Sequence, residues 1–415
     1  MQFKIYHVKY QYHILKNGIK IIHRQTEGKV SHCGIMVNTG SRDECEDENG
    51  LAHLIEHMLF KGTNKRKAHH VLSRIENIGG ELNAYTTKEE TCIYASFMPN
   101  YYKQSIELFA DVAFNSVYPQ KEIAKEKDII IDEINSYNDS PAELIFDDFE
   151  DLIYNGHSLG RNILGSIENI KSLKRKDILR FIKTKYSTEE MVIASVGQID
   201  FKKLISIIEK YFNDIPQTRS SLTRIPFNNY IPTNHVKSMN SHLSHCMLGN
   251  IAYSRSHSNK LTLLLISNLL GGPALNSTLS MEIREKHALA YSVESMFQPY
   301  SDTGVFNIYI GSDINYVDKS INLALKVLAR MRNKKLGTMQ LHRAKRQIVG
   351  QLAMSSESYQ NEMLGIAKVL LYKSRVKTIE EVIDEIGNIT ADQILDVSNE
   401  IFDSKKMSIL RYLNE

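Results

Sequence analysis

From Tyr10 to Ile22, apolar and polar residues alternate about an Asn17-Gly18 pair, the pattern of a β-hairpin. Ser31–Thr39 predicts a further strand, closed by Gly40. The period then lengthens. Gly50–Thr63, GLAHLIEHMLFKGT, carries Leu, Ile and Met at helical spacing. Asp47, Glu48 and Asn49 stand ahead of it as N-cap and favourable charge, and Gly62 offers a stop. Lys67–Ile78 predicts a second amphipathic helix, ending at Gly79-Gly80. Glu81–Thr86 and Thr91–Met98 predict strands joined by the polar turn Thr87–Glu90. Four helices follow, over Tyr101–Phe114, Pro119–Tyr137, Ala142–Tyr154 and Ile167–Tyr186, and Met191–Val196 returns as a strand.

Residues 214–234 break this texture: Pro216, Pro226 and Pro232 among Ser, Thr and Asn predict a surface linker. Beyond it the pattern restarts. Ser31-His32-Cys33 is echoed by Ser244-His245-Cys246, 213 positions later. Ile167, Ile170, Leu173, Ile178 and Leu179 match Ile383, Ile386, Ile389, Ile394 and Leu395, each 216 positions on. Two nearly equal offsets in order argue for a duplicated domain. The division expected is therefore 1–213, a linker over 214–234, and a homologous domain over 235–415. The second copy has no metal motif, since the corresponding helix around Ile266 is Leu and Ile.

At 415 residues the chain is too long for one ordinary core. It is 42% hydrophobic and 24% charged, with no low-complexity run, as in soluble globular proteins. A net charge of +3 over this length marks no basic face, so nucleic acid is not an expected partner. The four cysteines form no CxxC pair and read as reduced thiols of a cytosol-like compartment. No span approaches ~18 uninterrupted apolar residues, and the amino-terminal stretch has no signal-peptide pattern. A cytoplasmic protein without a membrane partner is expected.

The chemistry lies in the Gly50–Thr63 stretch. On a helix, His53, Glu56 and His57 fall on one face. Two imidazoles one turn apart can hold one metal ion with a carboxylate beside it, the His-x-x-Glu-His order of inverted zinc hydrolases. A lone helical histidine is commonly surface or satisfied core. Here three polar groups share a stripe of Leu, Ile and Met, where burial without partners would cost on the order of 2 kcal/mol or more per group. A catalytic zinc takes three protein ligands and leaves one position open. Candidates for the third include Glu76, Glu81, Glu89 and Glu90, but the Pro119–Tyr137 helix stacks Glu122, Glu126 and Glu133 on one stripe. A solvated acidic face explains that spacing equally well, and spacing alone does not choose among the three.

These residues resemble the insulinase/pitrilysin family of zinc metallopeptidases, nearest to its short processing-peptidase-like members, nearly end to end. His53–His57 and the following Met58–Thr63 are similar to the family's HxxEH segment. The resemblance implies a third ligand 76 residues beyond the second histidine, at Glu133, and an assisting acid seven positions earlier, at Glu126. Gly79–Thr86 resembles the family's edge strand that pairs with substrate backbone, which puts Asn83 and Ala84 on substrate. Arg284-Glu285-Lys286 with Leu289-Ala290-Tyr291 resembles its Arg-and-Tyr motif, implying that Arg284 and Tyr291 reach substrate from the domain without metal. Lys286-His287-Ala288 departs from the usual Lys-Arg-Gly, and Gly271-Gly272-Pro273 from the usual glycine triplet. The implied fold is two homologous α+β domains, each an antiparallel-rich sheet with packed helices, closing as a clamshell on the substrate. The implied assembly is a pair of chains, and both motifs in one chain favour a homodimer over one half of an unequal pair.

The expected activity is zinc-dependent endopeptidase hydrolysis of peptides or unfolded protein segments, with one Zn2+ per chain on His53, His57 and Glu133. Glu56 acts as general base on the zinc-activated water, and Tyr291 shares the charge of the tetrahedral intermediate. Glu126 orients a ligand. The rival expectation is a non-catalytic scaffold or partner subunit of the same fold, which would need none of these groups. A structural zinc site would instead take four Cys or His ligands.

Overall fold

A computed structural model describes residues 9–414; the first eight residues of the amino-terminal stretch and Glu415 lie outside the described residues. The chain begins with β1 (Gln11–Ile14), β2 (Lys20–Gln25), β3 (Ser31–Val37), α1 (Leu51–Met58), α2 (Ala68–Glu76), β4 (Glu81–Thr86) and β5 (Thr91–Phe97). Then come α3 (Tyr102–Asn115), α4 (Gln120–Asn138), α5 (Pro141–Ile153), α6 (Ile167–Ser172), α7 (Arg175–Lys185), β6 (Met191–Gly197) and α8 (Phe201–Phe212). The second half opens with β7 (Asn234–Met239), β8 (Ser244–Ala252), α9 (Lys260–Gly271), a π-helical turn (Ser280–Glu285), β9 (Ala290–Pro299) and β10 (Gly304–Ser312). It closes with α10 (Val317–Asn333), α11 (Thr338–Ser355), α12 (Tyr359–Tyr372), α13 (Ile379–Asn388), α14 (Ala391–Ile401) and β11 (Ser408–Asn414).

The strands form two sheets, ordered β1-β2-β6-β3-β5-β4 and β7-β11-β8-β10-β9. Without β1, the two orders correspond strand for strand. The pairing sense corresponds as well: β2–β6 and β7–β11 are parallel, and the rest of both ladders is antiparallel. The fold is α+β with two similar domains. Ser31-His32-Cys33 opens β3 and Ser244-His245-Cys246 opens β8, the middle strand of each ladder. The second repeat signal falls on α6–α7 and α13–α14, where Ile170, Leu173 and Ile178 and their counterparts Ile386, Ile389 and Ile394 are all buried.

Two compact units are present. One comprises the described residues up to Ile134 with Asn162–Arg224 and Met354–Glu380; the other comprises Asn135–Arg161, Ile225–Ala353 and the chain from Glu381. The chain crosses at Arg224, inside the expected linker, but residues 135–161 and 354–380 each sit with the other half's sheet, which a contiguous division does not describe. In the first unit, α12 lies on β6 and β3 and buries Met363, Ile366, Leu370 and Leu371 against Ile22, Met36, Val192 and Val196. In the second, α5 lies on β8 and β11 and buries Ile145, Phe149 and Ile153 against Met247, Leu410 and Tyr412.

Local details also depart from the pattern. The helix expected over Ile167–Tyr186 is two helices, because Lys174 is extended and its N–H donates to the Asp177 carboxylate at 2.9 Å, starting a new helix. The alternation did not predict α8, although Leu204, Ile208 and Phe212 recur at four-residue spacing and are buried. The hairpin turn is as expected, with Gly18 at φ +93° and Tyr12 opposite Ile22.

Candidate active site

Helix α1 buries Leu51, Ala52, Leu54, Ile55 and Met58, which turns His53, Glu56 and His57 together onto its half-buried face. Its start differs from the expected cap. Asp47 and Glu48 belong to a short 3-10 turn, and the N-cap is Gly50 at φ +94°. Only glycine fits there, because a Cβ would stand 2.7 Å from the Leu164 carbonyl oxygen and 2.6 Å from Ile170 Cδ1. The helix has no side-chain cap of its own. The buried Glu44 carboxylate supplies one, accepting from the N–H of Gly50 at 3.1 Å and from that of Ala52 at 2.7 Å.

Helix α4 shares a buried cluster with α1, to which it contributes Ile123, Ile130 and Ile134. It presents Glu133 to both imidazoles: Glu133 Oε2 lies 3.6 Å from His57 Nε2 and 3.9 Å from His53 Nε2. His53, His57 and Glu133 each offer one ligand atom within 4.8 Å of the others, and among the described residues they are the one group of three or more His, Cys, Asp or Glu so disposed. Glu126, two turns earlier on α4, is buried and sits behind the pair, accepting from His57 Nδ1 at 3.2 Å. Of the other third-ligand candidates, Glu122 pairs with Lys125 at 3.0 Å, Glu89 with Arg42 at 2.7 Å, and Glu90 with Lys368.

The electrostatics suit these groups. Burial, and then the neighbouring His57, push His53 down to about 4, so its ring is neutral and able to ligate. Burial raises the Glu56 carboxyl above the usual range against the opposing pull of Thr86 and His57. A carboxylate so raised holds and releases a proton closer to neutrality.

Beside α1 runs β4, the edge strand of its sheet, with Asn83 opposite Tyr94 and Ala84 opposite Ile93 on its one paired side. Its free side can take another extended chain. The Thr87–Glu90 turn at its end is pinned by a buried ion network that no local pattern announces. Arg42 Nη1 donates to Glu89, Arg224 grips Asp43 with two 2.9 Å bonds and donates to the Glu89 carbonyl, and Tyr372 donates to Glu90 at 2.8 Å.

In the second unit, Arg284 is the last residue but one of the π-helical turn and Tyr291 the second residue of β9, an edge strand. Both line one pocket of about 420 Å³, with Gly271, Gly272 and Pro273 on its wall. The Tyr291 side chain is 71% exposed, which excludes a core role, and Arg284 Nε donates to Glu285 at 2.8 Å.

The sequence model described as Insulinase (Peptidase family M16) matches residues 20–167, and that of the Peptidase M16 inactive domain matches 172–348. The chain belongs to the insulinase family. Among its relatives, the zinc protease YmxG of Bacillus subtilis (strain 168) is 29% identical over 93% of this chain and 94% of that protein. The mitochondrial-processing peptidase subunit beta of Saccharomyces cerevisiae is 30% identical over 91% of this chain and 85% of that one. A protease of Helicobacter pylori shares the fold, with a TM-score of 0.92 at 21% identity over 98% of this chain and 100% of that one. Within the insulinase family match, the first region holds His53, His57 and Glu133, while α9 in the second carries Leu and Ile at the corresponding face. Among the described residues, no helix is long and apolar enough to cross a membrane.

Proposed function

We propose that this chain is a zinc-dependent endopeptidase acting on peptides or unfolded protein segments, with one zinc ion held by His53, His57 and Glu133. The observation that carries the reading is the convergence of two Nε2 atoms and the Glu133 carboxylate beside Glu56. Two imidazoles and one carboxylate are a fitting donor set for zinc with one position left over. Zinc bound there supplies Lewis acidity, bringing the pKa of a water toward ~7. Glu56 would serve as the general base, holding the proton of an attacking water and delivering it to the leaving amine. Glu126 holds the His57 ring by its far nitrogen. Asn83 and Ala84 on the free side of β4 bind extended substrate through its backbone, which favours unfolded chains with little regard to sequence. Arg284 binds substrate, and Tyr291 both binds it and donates its hydroxyl to the developing oxyanion.

The relatives named zinc proteases support the chemistry. The partner expected is a second copy of the chain, which light scattering at micromolar concentration tests. The experiment for the activity is mass spectrometry of a mixed peptide library after incubation with the protein as purified, with chelator, and with zinc restored. Cleavage that disappears and returns supports the reading. A protein that retains zinc and cleaves nothing is a scaffold or partner subunit.

A further inference from the structure

We propose that Lys61 is a positioning residue of the metal centre, acting through Glu126 on His57. The proposal rests on the zinc reading above. Lys61 lies three residues beyond the end of α1, and its Nζ is 2.6 Å from Glu126 Oε1. The other carboxylate oxygen, Oε2, is the one that accepts from His57 Nδ1 at 3.2 Å. The three side chains thus form one line: ammonium, carboxylate, imidazole.

Each link constrains the next. The Glu126 side chain is only 5% exposed, so water does little to satisfy its two oxygens. Lys61 occupies one oxygen and leaves the other for the ring. An acceptor fixed at Nδ1 makes that nitrogen the N–H carrier and leaves the Nε2 lone pair facing Glu133, 3.6 Å away. The relay matters because it is unshared. Among the described residues His53 Nδ1 is buried without a hydrogen-bond partner, so packing orients that ring. Of the two far nitrogens, only that of His57 is held by a polar group.

The backbone fixes where the lysine starts. Its N–H donates to the Met58 carbonyl at 3.2 Å, and the next residue, Gly62, bridges to Lys67. The turn after α1 therefore delivers Lys61 to α4 at a set point, leaving its side chain 28% exposed. The two lysines flanking Glu126 on α4 are engaged elsewhere, Lys125 with Glu122 and Lys127 with the Lys171 and Leu173 carbonyls.

The test is zinc affinity of the full chain, measured by competition with a chromophoric chelator, for the wild type, Lys61→Met, Lys61→Arg, Glu126→Gln and the Lys61→Met/Glu126→Gln double variant. Loss of an outer partner of a ligating histidine weakens metal binding about 10-fold or more, which is the result expected for Lys61→Met. Lys61→Arg, which keeps a cationic donor, restores most of the affinity. In the double variant, removing Lys61 adds nothing to the loss from Glu126→Gln, because the relay is already cut. The metal-free melting temperature of Lys61→Met falls, because the buried Glu126 carboxylate loses its cation, and Lys61→Arg repairs it. Wild-type affinity in Lys61→Met, additive losses in the double variant, or a fall in melting temperature that Lys61→Arg does not repair would each overturn the proposal while leaving the zinc reading standing. A wild-type chain that binds no zinc would overturn both.

Discussion

The Glu44 carboxylate accepts a 2.7 Å hydrogen bond from the backbone N–H of Ala52, in a helix to which Glu44 does not belong. With Gly50 as N-cap, α1 has no side chain of its own to satisfy its first amides. Glu44→Ala leaves those amides unpaired in a buried setting and should cost about 1–3 kcal/mol of stability, read from urea midpoints at constant m-value. An unchanged midpoint would mean that water replaces the cap.

Glu56→Gln should leave zinc affinity near that of the wild type and remove turnover. The amide has the size of the acid but cannot take a proton. Zinc content by atomic absorption and hydrolysis of a quenched peptide check the two halves separately. Peptidase activity surviving in the zinc-loaded variant would remove Glu56 from the base role.

Tyr291→Phe keeps the ring and deletes the hydroxyl on an exposed side chain, so folding should not suffer. A drop in kcat of about 10-fold or more with zinc affinity intact is expected if the hydroxyl stabilises the oxyanion. A change confined to KM would assign Tyr291 to ground-state binding instead.

The metal-free protein should lose stability as pH falls from about 6.5 toward about 4. His53 titrates near 6.5 when unfolded and is held down to about 4 when folded, so between those values the unfolded chain binds the extra proton and gains. The buried His23, also lowered, works in the same sense, whereas the raised Glu56 works against it. His53→Gln isolates the effect: its urea midpoint should fall less steeply than that of the wild type across this window. Parallel curves would show that His53 protonates freely in the folded state.

Arg42→Met strips Glu89 of its 2.7 Å partner in a pair whose side chains are each 1% exposed. Removing one member of a buried pair typically costs about 3–5 kcal/mol. The Thr87–Glu90 turn should loosen with it, detectable as faster amide exchange along β4 in the variant than in the wild type. Unchanged β4 exchange would show that Arg224 and Tyr372 hold the turn without Arg42.

Much of this architecture is legible in the sequence, because it is local. Alternation about Asn17-Gly18 and the helical stripe carrying His53 and His57 are short-range signals, and they land where expected. The duplication is legible because β3 and β8 repeat the same three letters at the same ladder position. What escapes the sequence is long-range. Glu44 meets Ala52 only because Gly50 bends the chain back, and Arg224 meets Asp43 across 181 residues. Spacing on α4 could not separate Glu122, Glu126 and Glu133, since all three share a stripe. Only packing against α1 decides which reaches the imidazoles. The loss of helix at Leu173-Lys174 was equally hidden, because Asp177 is an ordinary helical residue until its carboxylate turns back to the Lys174 amide.

The exchange of α5 and α12 bears on how this polypeptide comes into being. Ile22, Met36, Val192 and Val196 form a greasy face that stays bare until residues 359–372 have left the ribosome, long after the strands bearing them are made. For each Leu, Ile or Met on α12, that late closure is worth about 1.5–3 kcal/mol. Severing the gene near codon 224 would therefore yield two sticky fragments, not two working halves. Mixed together, they could cover those faces only by trading the helices back.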